Sequence, residues 1–139
     1  MPRATATVSF QAIELKGSLQ QNGLMTLAPA PPIEERLAGM AAAIRQLIPA
    51  AEIRLFGSRA RGEAGPESDV DLLITAPDAW LASRDRFALL ADLWGAVAQP
   101  DLSVDLVLYS SSEVARRSRQ PGSLVQEAMR EGVLLDGRH

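Results

Sequence analysis

Three aspartates stand in or beside apolar stretches of this sequence. Asp69 and Asp71 open an apolar run that reaches Thr75, and Asp105 interrupts the run at 104–109. Side chains in a strand alternate between its faces, so Asp69 and Asp71 are expected on one face. If the strand that carries Asp105 lies beside the first, three carboxylates converge, and hard divalent ions such as Mg²⁺ take oxygen ligands of this kind. Such a site can hold two metal ions about 3.5–4 Å apart and clamp the oxygens of a phosphoryl or nucleotidyl transfer.

A turn of small residues, Gly57-Ser58, precedes these acids, and ten residues separate Ser58 from Asp69. Glycine lets backbone amides approach a phosphate closely, and a serine at a helix start adds a hydroxyl beside free amides. The turn is therefore expected to hold the triphosphate of a nucleotide that also contacts the metal ions. Arg59 and Arg61 would neutralise the triphosphate or its pyrophosphate leaving group, or else form the solvated face of a short helix.

A simpler interpretation exists for each motif alone. A Gly-Ser turn is usually only a turn, and an Asp-x-Asp is usually a solvated strand end. Taken together, however, three acids in apolar strand contexts are costly unless a partner compensates their charge. The combination favours a site.

The elements that position these residues predict a mixed α/β domain with a small sheet flanked by helices. Apolar residues recur every three or four positions from Ile33 to Ile48, which predicts a helix that Pro49 ends. The predicted strands lie at 52–56, 70–75, 104–109 and 133–135, and a short helix at 58–61 follows the first of them.

The later helices are predicted from apolar stripes and capping residues. One long helix is expected after Asp78, with Trp80, Phe87 and Trp94 in its buried stripe. Ser110 and Ser123 are expected to cap the two helices that follow it.

Residues 1–30 differ from the rest of the chain, because β-favouring residues alternate there with loose, turn-like ones. They are expected to be an N-terminal extension, either disordered or an edge hairpin, and the domain proper is expected to span 31–139 with its fold beginning near Ile33.

The whole-chain properties restrict the class of protein. The chain has 139 residues, a formal net charge of −3 and no cysteine. An acidic chain argues against direct nucleic-acid binding, and the absence of cysteine fits a reducing compartment. No signal peptide and no apolar run of membrane-spanning length is present, so a cytoplasmic protein without a membrane partner is expected.

The spacing of Gly57-Ser58, Asp69-x-Asp71 and the later Asp105 resembles the signature of the DNA polymerase β-type nucleotidyltransferases. The extended string GSRARG…SDVDLLI is similar to that of the minimal nucleotidyltransferases, the MntA-like antitoxins that pair with HEPN-domain toxins. The resemblance therefore implies a nucleotidyltransferase fold.

The resemblance also implies a reaction. ATP would be the donor substrate, two Mg²⁺ ions the cofactors, and AMP would pass to a hydroxyl, a tyrosine, of the HEPN ribonuclease toxin and silence it. Gly57 and Ser58 would hold the triphosphate, Asp69 and Asp71 both metal ions, and Asp105 the ion that activates the attacking hydroxyl. Two alternatives remain open: transfer to a small molecule such as an aminoglycoside, and an antitoxin that acts by binding alone.

Overall fold

The structure is a computed structural model that describes residues 4–8, 31–65 and 68–135. The strands in these residues are β1 (Ala4–Val8), β2 (Glu52–Phe56), β3 (Val70–Ala76), β4 (Val104–Ser110) and β5 (Val133–Leu134). The helices are α1 (Ile33–Leu47), α2 (Asp78–Ala82), α3 (Arg86–Val97), α4 (Ser111–Arg117) and α5 (Leu124–Glu131). The predicted mixed α/β class is confirmed.

The described strands form one mixed sheet in the order β1-β4-β3-β2-β5. β3 and β4 run parallel, joined by a crossover that contains α2 and α3, whereas the other pairs are antiparallel. The parallel register places Val70 opposite Val104 and Asp71 opposite Asp105. The first residues of β3 and β4 therefore lie side by side at one end of the sheet.

Different helices cover the two faces of the sheet. α1 and α3 pack on the face that includes Leu72 and Leu106, and these residues belong to the larger core. α4 and α5 pack on the face that includes Leu73 and Val107, in a second core. Because side chains alternate along a strand, Asp71 and Asp105 share the face of Leu73 and Val107.

The single long helix predicted after Asp78 is wrong, because the structure divides this segment into α2 and α3. The Asp85 side chain accepts hydrogen bonds from the amides of Phe87 and Ala88 and so begins a new helix. Phe87 was expected in the buried stripe, but it is 88% exposed, because the buried face of α3 is formed by Leu89, Leu90, Leu93 and Val97 and Phe87 lies off this face. Trp80 and Trp94 are partly buried against the larger core.

The predicted short helix at 58–61 is also wrong, since this segment is a turn. The amide of Ala60 donates to the carbonyl of Gly57 (3.1 Å), and the amide of Glu63 donates to that of Ser58 (2.9 Å). Gly57 and Gly62 have φ values of 80° and 75°, a backbone conformation that a continuing helix does not contain. The turn therefore closes after a few residues.

Hydroxyl caps begin the last two helices at the predicted residues. Ser110 and Glu113 form a complete capping box at α4. Ser123 accepts from the amide of Gln126, whereas the Gln126 side chain accepts from the amide of Gly122 instead of completing a box. No helix in the described ranges combines the length and apolar character needed to span a membrane.

The N-terminal region contributes a strand to the sheet. β1 pairs antiparallel with β4 along its whole length, from Ala4 opposite Leu108 to Val8 opposite Val104. Strand pairing therefore begins well before Ile33, the residue at which the sequence predicts the start of the fold. Residues 1–3 and 9–30, and with them the rest of the expected extension, lie outside the described residues.

Candidate active site

The strand register brings two of the predicted aspartates together. Asp71 and Asp105 are direct neighbours across β3 and β4, which is the adjacency on which the predicted site depends. The pKa of Asp71 rises to about 7, first because burial disfavours the charged form, and then through a hydrogen bond with Asp105 and that group's negative charge. Oδ1 of Asp105 is buried without a hydrogen-bond partner in the described part of the chain. A shared proton or a bound cation would therefore stabilise the pair.

Gly57 lies directly against this pair. A Cβ added at Gly57 would overlap Oδ2 of Asp71, and the backbone of Gly57 has a φ of 80°. Only glycine meets both conditions without strain. Ser58 follows in the same turn and is partly exposed. The predicted phosphate turn therefore lies directly beside the Asp71 carboxylate.

Asp69 lies just outside β3, at its N-terminal end, and is exposed. Its negative charge contributes to the raised pKa of Asp71. The Arg59 guanidinium donates to the carbonyl of Ser68, from Nη2 (2.7 Å) and Nε (3.1 Å). In this structure Arg59 therefore connects the turn to the residue before Asp69.

Arg61 points to α5. Its Nε lies 2.8 Å from Glu63, and its Nη1 lies 3.5 Å from Glu127 and 3.4 Å from Glu131. The negative charge of Glu127 also contributes to the raised pKa of Asp71. Glu127 was not identified from the sequence, because nothing in its local pattern distinguishes it from a solvated helix residue.

The model of the nucleotidyltransferase domain family matches residues 37–134, which include the turn and all three aspartates. This chain belongs to the nucleotidyltransferase domain family. Its general function is therefore nucleotidyl transfer. A search of curated proteins finds no match to this nucleotidyltransferase.

The donor set of the nucleotidyltransferase partly fits a divalent cation. The described residues contain no ready-formed group of three or more His, Cys, Asp or Glu side chains that could hold a metal ion. Asp71 and Asp105 nevertheless offer adjacent carboxylates, one with an unpartnered buried oxygen, which is the chemistry that hard cations such as Mg²⁺ prefer. A two-ion site that includes Asp69 remains a prediction.

A cavity of about 400 Å³ lies elsewhere in the nucleotidyltransferase domain. It is lined by Leu55 of the larger core, by Arg59 and Gly62 of the turn segment, and by Val133 of β5, among others. None of the three aspartates lines it. Leu55 and Asp71 also point to opposite faces of the sheet, because Asp71 pairs with Phe56. This cavity is therefore separate from the carboxylate site.

Proposed function

We propose that this chain is a Mg²⁺-dependent, cytoplasmic protein adenylyltransferase that transfers AMP from ATP to a tyrosine of a HEPN-type ribonuclease toxin and so acts as an antitoxin. The observation that carries the nucleotidyl-transfer chemistry is the in-register pair Asp71–Asp105 against the Gly57 turn. The acceptor and the antitoxin role rest on the resemblance of GSRARG…SDVDLLI to the minimal nucleotidyltransferases.

The residues of this site have separable tasks in the proposed reaction. The acceptor oxygen forms a bond to the α-phosphorus, the bond to pyrophosphate breaks, and the acceptor hydroxyl loses its proton. Gly57 and Ser58 hold the triphosphate, and the absence of a side chain at Gly57 keeps Asp71 within reach of it. Asp71 and Asp105, with Asp69, would hold Mg²⁺. When bound, the ion supplies positive charge for the attacking and leaving oxygens.

The test is transfer of labelled AMP from α-labelled ATP to a purified HEPN protein. The acceptor to try first is a small helical protein with an Arg-x4-His motif that is encoded beside this chain. Asp71→Asn and Asp105→Asn are expected to lower the transfer rate about 100-fold or more, as expected for loss of a group that stabilises transition-state charge. Asp92→Asn is the matched control, because Asp92 is exposed on α3 and is expected to keep the wild-type rate.

Three other results would contradict the proposal. Transfer to an aminoglycoside but to no protein would indicate the small-molecule enzyme. Full neutralisation of the toxin by Asp71→Asn would indicate an antitoxin that acts by binding alone. Equal rates for Asp71→Asn, Asp105→Asn and Asp92→Asn would place the chemistry elsewhere.

A further inference from the structure

Arg61 is surrounded by carboxylates in this structure. Its Nε lies 2.8 Å from Glu63, and its Nη1 lies within 3.5 Å of Glu127 and Glu131. The Arg61 side chain is 34% exposed, so water also reaches this cluster. Nε and Nη1 of Arg61 are thus already directed to protein carboxylates, whereas the sequence left open a phosphate contact or a solvated position for this residue.

The two acids of α5 lie beside the position expected for a triphosphate. Glu127 and Glu131 are four residues apart on α5 and so face the same side of the helix. The charge of Glu127 reaches Asp71. The amide of Arg61 donates to the carbonyl of Gly57 at 3.2 Å, so the arginine belongs to the same turn as the phosphate-binding residues. A polyphosphate that approaches this turn therefore passes close to the carboxylates of α5.

We propose that Arg61 is a positioning residue that neutralises Glu127 and Glu131 and thereby lets the triphosphate enter, rather than a direct phosphate ligand. This inference rests on the proposed function, because it assumes that the nucleotide binds at the Gly57–Ser58 turn. The positive charge of Arg61 offsets the negative potential of the two glutamates. Without that positive charge, the glutamates would repel the polyanionic triphosphate and weaken its binding.

Charge compensation and direct phosphate contact by Arg61 predict different effects of removing the Glu127 carboxylate on nucleotide binding. If Arg61 compensates Glu127, loss of the arginine weakens nucleotide binding, and the further change Glu127→Gln restores it. If Arg61 contacts the phosphates directly, Glu127→Gln restores little, since the missing contact stays missing. A double-mutant cycle therefore separates the two roles.

The experiment measures binding of Mg²⁺ with a non-hydrolysable ATP analogue by calorimetry, and kcat and KM for transfer, in the full chain. Arg61→Gln is expected to raise Kd and KM about 10-fold with a smaller change in kcat, because it acts on entry of the triphosphate. Arg61→Lys is expected to stay within about threefold of wild type, because the charge is retained. The double variant Arg61→Gln/Glu127→Gln is expected to return to within about threefold of wild type.

Arg84→Gln is the matched control. Arg84 is exposed between α2 and α3, which follow the end of β3 opposite the carboxylates, and its loss is expected to leave Kd unchanged. Melting temperatures of all variants separate weak binding from poor folding. Should Arg61→Gln fail to fold, Glu127→Gln alone still tests compensation, because weaker binding of the analogue by this variant would contradict it.

Two results would overturn the inference. In the first, the double variant binds the ATP analogue as weakly as Arg61→Gln does; in the second, Glu127→Gln alone binds it as weakly as Arg61→Gln does. Wild-type protein that binds the analogue but modifies no protein would contradict the proposed acceptor and leave the role of Arg61 measurable. Wild-type protein that does not bind the analogue would overturn both proposals.

Discussion

At the level of single residues, the proposed site depends on a pair of carboxyl groups, and ionising both of them costs free energy. Asp71 and Asp105 are adjacent in register, and burial and the neighbouring charges of Asp105, Asp69 and Glu127 raise the pKa of Asp71 to about 7. Two close carboxylates share a proton or a cation because mutual repulsion disfavours the doubly charged state. Metal-free protein and Mg²⁺-loaded protein should therefore respond differently to pH.

The first prediction concerns stability against pH in EDTA. The unfolded chain loses the Asp71 proton near its ordinary value of 3.8, whereas the folded chain holds it up to about 7. Proton binding therefore stabilises the folded state most at low pH, and this contribution is lost as the pH rises through about 7. Asp71→Asn, which cannot ionise, is expected to gain melting temperature relative to wild type between pH 5 and pH 8, as measured by thermal denaturation.

Asp78→Asn is the control with the opposite sign. The pKa of Asp78 is lowered by the backbone hydrogen bond from Ser112, so its charged form favours folding. This variant is expected to lose melting temperature relative to wild type at pH values above about 4, where Asp78 is ionised. A constant difference between Asp71→Asn and wild type from pH 5 to pH 8 would contradict the role given to Asp71.

The second prediction compares two glycines of the phosphate turn. Gly57→Ala and Gly62→Ala both place a side chain at positive φ, which costs about 1–2 kcal/mol. Only Gly57→Ala also drives a Cβ into the Asp71 carboxylate, whereas the space beside Gly62 is open. The rate of AMP transfer is expected to fall much more in Gly57→Ala than in Gly62→Ala. The free energy of unfolding is expected to fall by a similar or larger amount in Gly57→Ala. Equal loss of activity in both variants would show that backbone strain alone explains the effect.

At the scale of elements, the buried face of α3 decides which side chains enter the core. Leu89, Leu90, Leu93 and Val97 form this face, and Leu93 is fully buried. Phe87 lies six residues before Leu93 and points away from this face, because each residue turns a helix by about 100°. The exposed phenyl ring therefore follows from the way α3 is oriented against the core.

The third prediction tests that difference on one helix. Phe87→Ser is expected to change the free energy of unfolding by no more than about 0.5 kcal/mol, as is usual for exposed positions. Leu93→Ala is expected to cost about 2–5 kcal/mol, because it removes buried methyl groups and leaves a cavity. Urea denaturation followed by circular dichroism measures both. If Phe87→Ser lowered the free energy of unfolding about as much as Leu93→Ala, Phe87 would have to be buried.

In the molecule as a whole, the larger core and the carboxylates lie on opposite faces of the sheet. α1 and α3 build the larger core on one face, whereas the carboxylates share the other face with α4 and α5. β4 is the strand that carries Asp105, and it is held between β3 and β1. The N-terminal strand therefore supports a proposed active-site residue that lies about a hundred positions away in the sequence.

The fourth prediction concerns this long-range support. Deletion of residues 1–8 removes β1 and leaves the outer edge of β4 without backbone partners. The free energy of unfolding is expected to fall by more than about 1 kcal/mol, and AMP transfer is expected to fall with it. Deletion of residues 1–3, which precede the strand, is the control. Equal stability of the two truncated chains would support a fold that begins near Ile33.

The local features of this protein can be predicted from its sequence. The strand Glu52–Phe56, the start of the helix at Ile33 and the capping box at Ser110 follow from periodicity and local hydrogen-bonding groups, which act over a few residues. The turn at Gly57 and the spacing to Asp69 and Asp71 likewise lie within one short segment. That local motif was enough to predict the family.

Contacts between groups that are distant in the sequence depend on how the chain folds in three dimensions. Asp71 and Asp105 become neighbours through the parallel pairing of β3 and β4, and no local pattern specifies that register. Arg61 contacts carboxylates of α5 for the same reason, since the sheet and the second core set where that helix lies. Pairing and packing join residues that are far apart in sequence, and these contacts convert a glycine turn and separate acids into one site.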